Sequence, residues 1–538
     1  MDILMRPVPG IQLVFMTLAV IFMAPLGSIA SEKASDKRPN IILVMADDLG
    51  WSDIGCYGGE IKTPHIDSLA QEGLRFAQFY NNSICGPTRA SLLTGLYCQQ
   101  VGHRGDRWNE PKDFTKCVTI SEVLQKSGYQ TMMVGKWQGR DLALDRGFDR
   151  FFGPMCQAKI SYFHEVQNNP YYLDRKRIEL PEDFYLTKAL NHHALEFLEQ
   201  SLGDDKPFFL YVAHIAPHWP LHAEEADIAP FRKLYRSSGW DQIRTLRFEN
   251  QRREGIVPDQ WTLSPRLAGL RDWSKDKHKN WQAERMAVYA AQIASIDRGL
   301  GQILKAVKQA DEEENTLVMF LSDNGAAPDG GLAPMKSSFG FSMKDRKANW
   351  RKDGVLIRPG SGPDNMPGPH DTFAGYGLAW ANASNTPLNG TKLSGYEGGI
   401  RTPLVVRWPA VIRKHGHITK QPGHVIDFMA TCLDAANVSY PSSFQGRKPL
   451  PLEGKSLLPI FEGKHREEHD ELCWSTAWHH AILMGQHKAI RPKKGGPWQL
   501  FDLEADGTET NDLAKQQPER VNEMETRFEA WSKRVGAQ

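Results

Sequence analysis

Four short apolar runs, each stopping at polar or charged residues, constrain this chain more than any other feature of it. Ile41-Ile42-Leu43-Val44-Met45 stops at Asp47-Asp48, and Thr131-Met132-Met133-Val134 stops at Gly135-Lys136-Trp137. Pro207-Phe208-Phe209-Leu210-Tyr211-Val212 stops at His214 and Ala216-Pro217-His218-Trp219-Pro220. Thr316-Leu317-Val318-Met319-Phe320-Leu321 stops at Ser322-Asp323-Asn324-Gly325. Each run is too short for a core helix and rich enough in β-branched and aromatic residues for a strand buried on both faces. Helix-like segments separate them, at Thr63 to Gly73, Ile120 to Lys126, Leu186 to Gln200 and Arg285 to Lys308. This alternation predicts an α/β fold, a mostly parallel sheet between helices. Ligands of such sheets gather beyond the carboxyl ends of the strands. Two acids, a lysine, a histidine and an Asp-Asn pair all fall at those ends.

The residue types suggest what the ends do. Adjacent carboxylates after a buried strand are costly unless a cation neutralises them, although an acidic turn in solvent is an equally good reading of Asp47-Asp48 alone. Asp323 and Asn324 complete a set of four oxygen-bearing residues with no soft ligand. That set suits Ca²⁺, Mg²⁺ ranking below it because it keeps more of its waters, and does not suit zinc. Lys136, Arg89 and His218 are left as cationic or hydrogen-bonding groups around an anion, each with an ordinary alternative as surface lysine, helix arginine or loop histidine.

The stretch Ser83-Ile84-Cys85-Gly86-Pro87-Thr88-Arg89-Ala90-Ser91-Leu92-Leu93-Thr94-Gly95 supplies a nucleophile. Pro87 suits the first turn of a helix. Cys85 then stands at the helix mouth, where free N–H groups and the dipole favour an anion, and Arg89 adds a two-pronged cation one turn in. Read alone, Cys85 would more simply be a buried structural thiol. Further along, Tyr235 to Arg253 reads as a solvated basic helix, and 328–387 as a long irregular stretch of the kind that carries function or disorder. Lys392 precedes Tyr396-Glu397-Gly398-Gly399-Ile400-Arg401-Thr402-Pro403, which leads into the buried-strand candidate Leu404-Val405-Val406. Trp474 to His480 is histidine-rich without metal spacing, a candidate for the substrate rim.

Net charge over the 538 residues is +1, so no case exists for nucleic acid, and anion recognition must be local. Residues 1–30 read as a signal peptide, with Arg6, an apolar run from Ile11 to Leu26 and Ser28-Ile29-Ala30 before the cleavage point. An uncleaved anchor is the competing reading; no later stretch is long enough to span a membrane. The mature protein is therefore expected to be exported, periplasmic or extracellular, or lysosomal in a eukaryote. Seven cysteines (56, 85, 98, 117, 156, 432 and 473) lack metal spacing, and their odd number leaves at least one thiol unpaired, Cys85 being the candidate. Glycosylation triplets begin at Asn81, Asn382, Asn389 and Asn437. The texture changes after Pro409; a catalytic domain is expected over 31–440 and a small C-terminal α+β domain over 441–538, with helices from His424 to Ala436 and Pro518 to Arg534.

Taken together these residues resemble a type I sulfatase. Cys85-Gly86-Pro87-Thr88-Arg89 is similar to the family's Cys-x-Pro-x-Arg signature, continued by Leu92-Leu93-Thr94-Gly95. Asp47-Asp48, Gly135-Lys136-Trp137, Ala216 to Pro220, Ser322 to Gly325 and Lys392 to Pro403 match in the family's order. The resemblance implies an alkaline-phosphatase-like core with a small C-terminal domain, and hydrolysis of a sulfate monoester on a sulfated small molecule or glycan. It implies that a maturation enzyme oxidises Cys85 to formylglycine, whose hydrate attacks sulfur through one hydroxyl and expels sulfate through the other. Asp47, Asp48, Asp323 and Asn324, with the modified Cys85, are implied to hold Ca²⁺. Arg89 would orient the hydrate, Lys136 and Lys392 would neutralise the sulfate oxygens, and His218 would hydrogen-bond the sulfate or protonate the leaving oxygen. Two departures stand out. Gln138 occupies the place of a histidine the family usually has, and glutamine exchanges no proton near neutral pH; Leu96-Tyr97-Cys98 replaces the commoner Arg-Tyr-Pro. Alternatives are a catalytically weak relative that binds sulfated glycans, favoured only by Gln138, and a phosphate or phosphonate ester hydrolase of the same superfamily.

Overall fold

Alternation within the apolar runs decides the layers, because successive side chains of a strand point to opposite faces. Ile42, Val44 and Ala46 enter one apolar core, whereas Ile41, Leu43 and Met45 enter another. Val318 and Phe320 separate in the same way from Leu317, Met319 and Leu321. The protein was analysed as a computed structural model that describes residues 37–103, 114–137, 139, 141–155, 160–166, 169–329, 354–355, 358–359 and 362–537.

The two cores flank a ten-stranded sheet. Its strands are β1 (Asn40–Ala46), β2 (Leu74–Phe76), β3 (Gln130–Gly135), β4 (Arg150–Pro154), β5 (Tyr171–Leu173), β6 (Lys176–Ile178), β7 (Phe208–Ala213), β8 (Thr316–Ser322), β9 (Leu404–Arg407) and β10 (His417–Thr419). They lie in the order β10-β2-β9-β8-β1-β7-β3-β4-β5-β6. The central strands β8, β1, β7, β3 and β4 are parallel neighbours, so the four runs predicted as strands share one carboxyl edge. The Leu404 run is buried as expected, but it pairs antiparallel to both β8 and β2. The helices α1 (Pro64–Glu72), α2 (Cys85–Thr94), α3 (Ile120–Lys126), α4 (Leu186–Ser201), α5 (Glu225–Arg253), α6 (Lys279–Gln309) and α7 (Asp427–Ala435) cover the sheet. Apolar residues of α1, α4, α5 and α6 lie in the first core; those of α2, α3 and α7 lie in the second.

Helix α5 departs from expectation. Only part of its basic face is solvated: Arg236, Arg252 and Arg253 are exposed, but Trp240, Arg244, Arg247 and Phe248 are buried, and the chain bends at Gly239. Arg247 is drawn inside by two acids from the segment after β1, with N–O distances of 2.6 Å to Asp53 and 2.7 Å to Glu60. A second, antiparallel sheet follows, of β11 (Leu472–Ser475), β12 (His479–Met484), β13 (His487–Pro492) and β14 (Gln499–Asp502). Helix α8 (Pro518–Val535) lays Met524, Phe528 and Trp531 into one core with Ile482 and Leu500. This is the small α+β unit expected after the main sheet.

Among the described residues, no helix is long and apolar enough to cross a membrane. The expected signal segment, Gln138 and Cys156 lie outside the described residues. Cys56, Cys85, Cys432 and Cys473 form no disulfide. Asn81 and Asn382 are buried, which closes two of the glycosylation triplets in the folded chain, whereas Asn437 is exposed.

Candidate active site

Register brings the strand ends into opposition. Ala46 pairs with Ser322, Met45 with Ala213, and Gly135 with Ala213. The next residues along, Asp47, Asp323, His214 and Lys136, therefore converge at one edge, and all four are buried. Gly135 permits the close approach: its φ is 96°, and a Cβ there would stand 2.0 Å from the Ala213 carbonyl oxygen.

Helix α2 supplies the nucleophile candidate from the second face. It starts at Cys85 itself, which puts Pro87 in the first turn as expected, and Cys85 is 8% exposed. One ligand atom each from Asp47, Cys85 and Asp323 lies within 4.8 Å of the others. Arg89, fully inside the protein, donates from Nε to Asp323 Oδ2 at 2.8 Å and places a second guanidinium nitrogen at the same distance from that oxygen. It also donates to the His214 carbonyl at 3.2 Å and to the Tyr211 hydroxyl at 3.4 Å. Arg89 thus braces Asp323 and the end of β7.

The Lys392 segment arrives from far along the chain. Its backbone N–H donates to the Ala326 carbonyl, and Lys392 Nζ donates to Asp48 Oδ1. Lys136 Nζ donates to Asp47 Oδ2. Asn324 Nδ2 donates to Asp48 Oδ1 at 2.7 Å, and His218 Nε2 lies 3.5 Å from Asp48 Oδ2. Gly325 meets the Gly398-Gly399 turn so closely that a Cβ on it would lie 1.8 Å from the Gly398 oxygen. Three non-glycine residues beside the site, Asp48 (φ 67°), Ser83 (φ 61°) and Leu393 (φ 76°), adopt left-handed backbone. The loops holding the last two are tied together, Leu393 N–H donating to Ser83 O and the Ser83 hydroxyl to Ser394 O. Strain of this kind persists only where surrounding contacts hold it.

The electrostatics are those of a loaded site. Burial would raise the pKa of Asp47, but Lys136, His218, Arg89 and Lys392 outweigh it and hold the carboxyl well below its usual range. Asp323 is pushed up to about 6 by burial and then by the charge of Asp47, against Arg89 and Lys136. Burial opposes the charges of Lys136 and Lys392, yet Asp47 and Asp48 respectively keep both lysines protonated. Burial lowers the pKa of His218, against Asp48 and Asp47. His218 Nδ1 lies 2.6 Å from the Trp219 carbonyl, an acceptor only, so Nδ1 carries the proton and Nε2 faces the carboxylates.

The residues fit a divalent ion. Asp47 Oδ1, Asp48 Oδ2 and Asn324 Oδ1 are buried with no hydrogen-bond partner, an expensive arrangement that a hard cation relieves. Every predicted site residue is thus brought to one place. The sequence reading missed Tyr211 and the His214 carbonyl on Arg89, and missed Asp329, whose Oδ2 accepts from Trp219 Nε1 at 3.2 Å. No spacing marks Asp329. The rim candidate at 474–480 does lie against the site loop: Gly395 N–H donates to His479 Nδ1 at 3.3 Å, the Tyr396 and His479 rings are 5.2 Å apart, and Trp478 is 47% exposed.

Known proteins carry the same pattern. The family described as Sulfatase matches residues 39–438, and the one described as N-sulphoglucosamine sulphohydrolase, C-terminal, matches residues 391–534. An uncharacterized sulfatase of Schizosaccharomyces pombe is 31% identical, the match covering 92% of this chain and 93% of that protein. An arylsulfatase of Klebsiella aerogenes is 32% identical over 82% of this chain and 95% of its own length. The crystal structure of Ps i-CgsB in complex with k-i-k-neocarrahexaose superposes with a TM-score of 0.65 at 26% identity, covering 92% of this chain and 93% of the other. With the family pattern running from the first strand of the sheet through α7, and two relatives above 30% identity, the chain belongs to the sulfatase family and is a sulfuric ester hydrolase.

Proposed function

We propose that this sulfatase cleaves sulfate monoesters of saccharides, with residue 85 matured from cysteine to formylglycine as the nucleophile. The observation that carries this reading is the approach of Cys85 to Asp47 and Asp323 within 4.8 Å, at the mouth of a buried helix. Asp47, Asp48, Asp323, Asn324 and residue 85 would hold Ca²⁺. Bound there, Ca²⁺ supplies Lewis-acid polarisation of a sulfate oxygen and lowers the pKa of a hydroxyl on residue 85. As formylglycine, residue 85 supplies a hydrated aldehyde in place of a thiol.

The chain's own groups account for the rest. Arg89 fixes Asp323 through two nitrogens and so holds the carboxylate cluster in place. Asp47, Asp48 and Asp323 are balanced by Arg89, Lys136 and Lys392; a divalent ion would leave the pocket positive, as an anionic ester requires. Lys136 and Lys392 would then turn to the sulfate oxygens. The Trp219 carbonyl fixes the imidazole so that Nε2 is the atom able to hold or pass a proton at the leaving oxygen. The exposed indole of Trp478 offers a platform for a sugar ring beside the Lys392 loop. Support for a saccharide comes from the similar structure, which is described in complex with neocarrahexaose. Residues 1–30 support export, and a formylglycine-generating enzyme is the partner that maturation needs.

The test is mass spectrometry of the peptide spanning Cys85, from a host that matures a control sulfatase, together with sulfate release. Formylglycine lowers the peptide mass by about 18 Da, since H₂S is lost and oxygen gained. Cysteine alone at this position would remove the catalytic reading and leave the glycan-binding one. That second reading rests on Gln138: it expects turnover only after Gln138→His, whereas a working sulfatase turns over without it.

A further inference from the structure

Asp329 is a charged side chain at this site for which the sulfatase chemistry above has no use. It stands beyond the Asp323-Asn324-Gly325 corner, anchored by its own carbonyl, which accepts from Gly377 N–H at 2.8 Å. Its Oδ2 accepts from the indole of Trp219 at 3.2 Å. That indole packs against His218, with ring centroids 4.6 Å apart, and the Trp219 carbonyl orients the same histidine. Asp329 is therefore one residue removed from the group that faces the leaving oxygen. Its second oxygen, Oδ1, accepts no hydrogen bond from any described residue, and the side chain is half-buried. Around it stand Lys392 and His218, which favour its charged form, and Asp48, which opposes it; burial is the largest influence and raises its pKa.

A carboxylate cannot serve the sulfate, because two anions repel. It can serve only the alcohol half of the ester, and an acceptor there calls for an O–H donor. We propose that Asp329 is a specificity-determining residue that accepts a hydrogen bond from a hydroxyl neighbouring the sulfated carbon, and so selects a polyhydroxylated alcohol. The charges set the polarity of binding: sulfate toward Lys136 and Lys392, hydroxyl toward Asp329, with His218 Nε2 between them at the bridging oxygen. An aryl sulfate has no hydroxyl to offer, and a half-buried acceptor that binding shields from water without giving it a partner penalises it. This inference rests on the sulfatase reading and deepens it by naming the class of alcohol.

The experiment uses the matured full-length protein with two probes, 4-nitrophenyl sulfate and the best-cleaved member of a panel of hexopyranoside monosulfates. Asp329→Asn is expected to lower the ratio of sugar to aryl kcat/KM about 10- to 100-fold, chiefly through the KM of the sugar. Trp219→Phe, which removes the indole donor to Asp329 and keeps an aromatic ring, is expected to lower the same ratio by a smaller factor. It stands as the second reading should the first variant not fold. A ratio that stays within about twofold of wild type in both variants overturns the proposal and leaves Asp329 as a brace for Trp219. Wild-type protein that carries formylglycine yet cleaves neither probe overturns the sulfatase reading and this inference with it, a result distinct from an unchanged ratio.

Discussion

Arg89 shows how much one side chain can carry. Its guanidinium reaches Asp323, the His214 carbonyl and the Tyr211 hydroxyl from full burial, and a lysine has neither the fork nor the reach to replace those contacts. Arg89→Lys is expected to lower kcat/KM about 100-fold and to destabilise the fold by about 1–3 kcal/mol, read by steady-state kinetics and denaturant titration. Cys85 is different, since its thiol belongs to none of the ion pairs among the described residues. Cys85→Ala is expected to cost at least about 10³-fold in turnover while leaving the melting temperature near that of the wild type. The orphaned oxygens of Asp47, Asp48 and Asn324 make a prediction for the metal. EGTA is expected to lower the melting temperature and added Ca²⁺ to restore it, by about 3 kcal/mol at a hundredfold excess over Kd, and Asp47→Asn should blunt the response. At this scale the residue types were legible, because paired acids after an apolar run and a cysteine signature each announce themselves locally. Asp329 was not, because nothing in its neighbours says that Trp219, 110 positions away, will meet it.

The strand is the unit that delivers chemistry. Buried strands of six or seven residues can satisfy their backbone only by pairing on both sides, so their polar terminators emerge together at one edge. That edge depends on β3 and β7 meeting without a side chain between Gly135 and Ala213. Gly135→Ala adds both a clash and a strained left-handed φ, and is expected to destabilise the protein by about 2–4 kcal/mol and to displace Lys136, measurable as a fall in both melting temperature and kcat/KM. The β11–β12 hairpin acts at the rim. Trp478→Ala is expected to lower kcat/KM on oligosaccharide sulfates about tenfold, with a smaller effect on 4-nitrophenyl sulfate, and equal effects on both would remove the platform role. The existence of these elements was readable from period and length. The solvated character expected of α5 holds for Arg236, Arg252 and Arg253 but not for Arg247, which two acids from a different segment drew inside.

Across the whole molecule, the small antiparallel sheet is wired to the sheet edge that carries the candidate site. Lys488 on β13 is fully buried, 2.8 Å from Glu397 and 2.7 Å from Glu509, and Glu397 also pairs with Arg401 and accepts from Tyr80. Glu397 begins the Gly-Gly turn that follows Lys392, so the second sheet holds the loop that presents that lysine. Glu509 is pushed up from 4.5 to about 7 by burial, with Glu397 adding to it and Lys488 opposing. Between those two values the folded chain keeps a proton that the unfolded chain has lost, so stability falls as pH rises through the window and is flat above it. Thermal melts from pH 5 to 8 are expected to show this decline, to which Asp323 also contributes, and Glu509→Gln should make it shallower; an unchanged slope would place the proton elsewhere.

By itself the sequence determined the strand–helix alternation, the cysteine at a helix mouth, the oxygen-rich donor set and the family. These follow from run length, periodicity and residue type, all properties of short segments. Only the tertiary structure decided that Lys392 would reach Asp48 across 344 positions, that Arg89 would lock onto Asp323, and that Asp329 would share Trp219 with His218. Those contacts arise from strand register and from the packing of distant elements, which depend on the simultaneous fit of the whole chain and leave no mark on any one stretch of it.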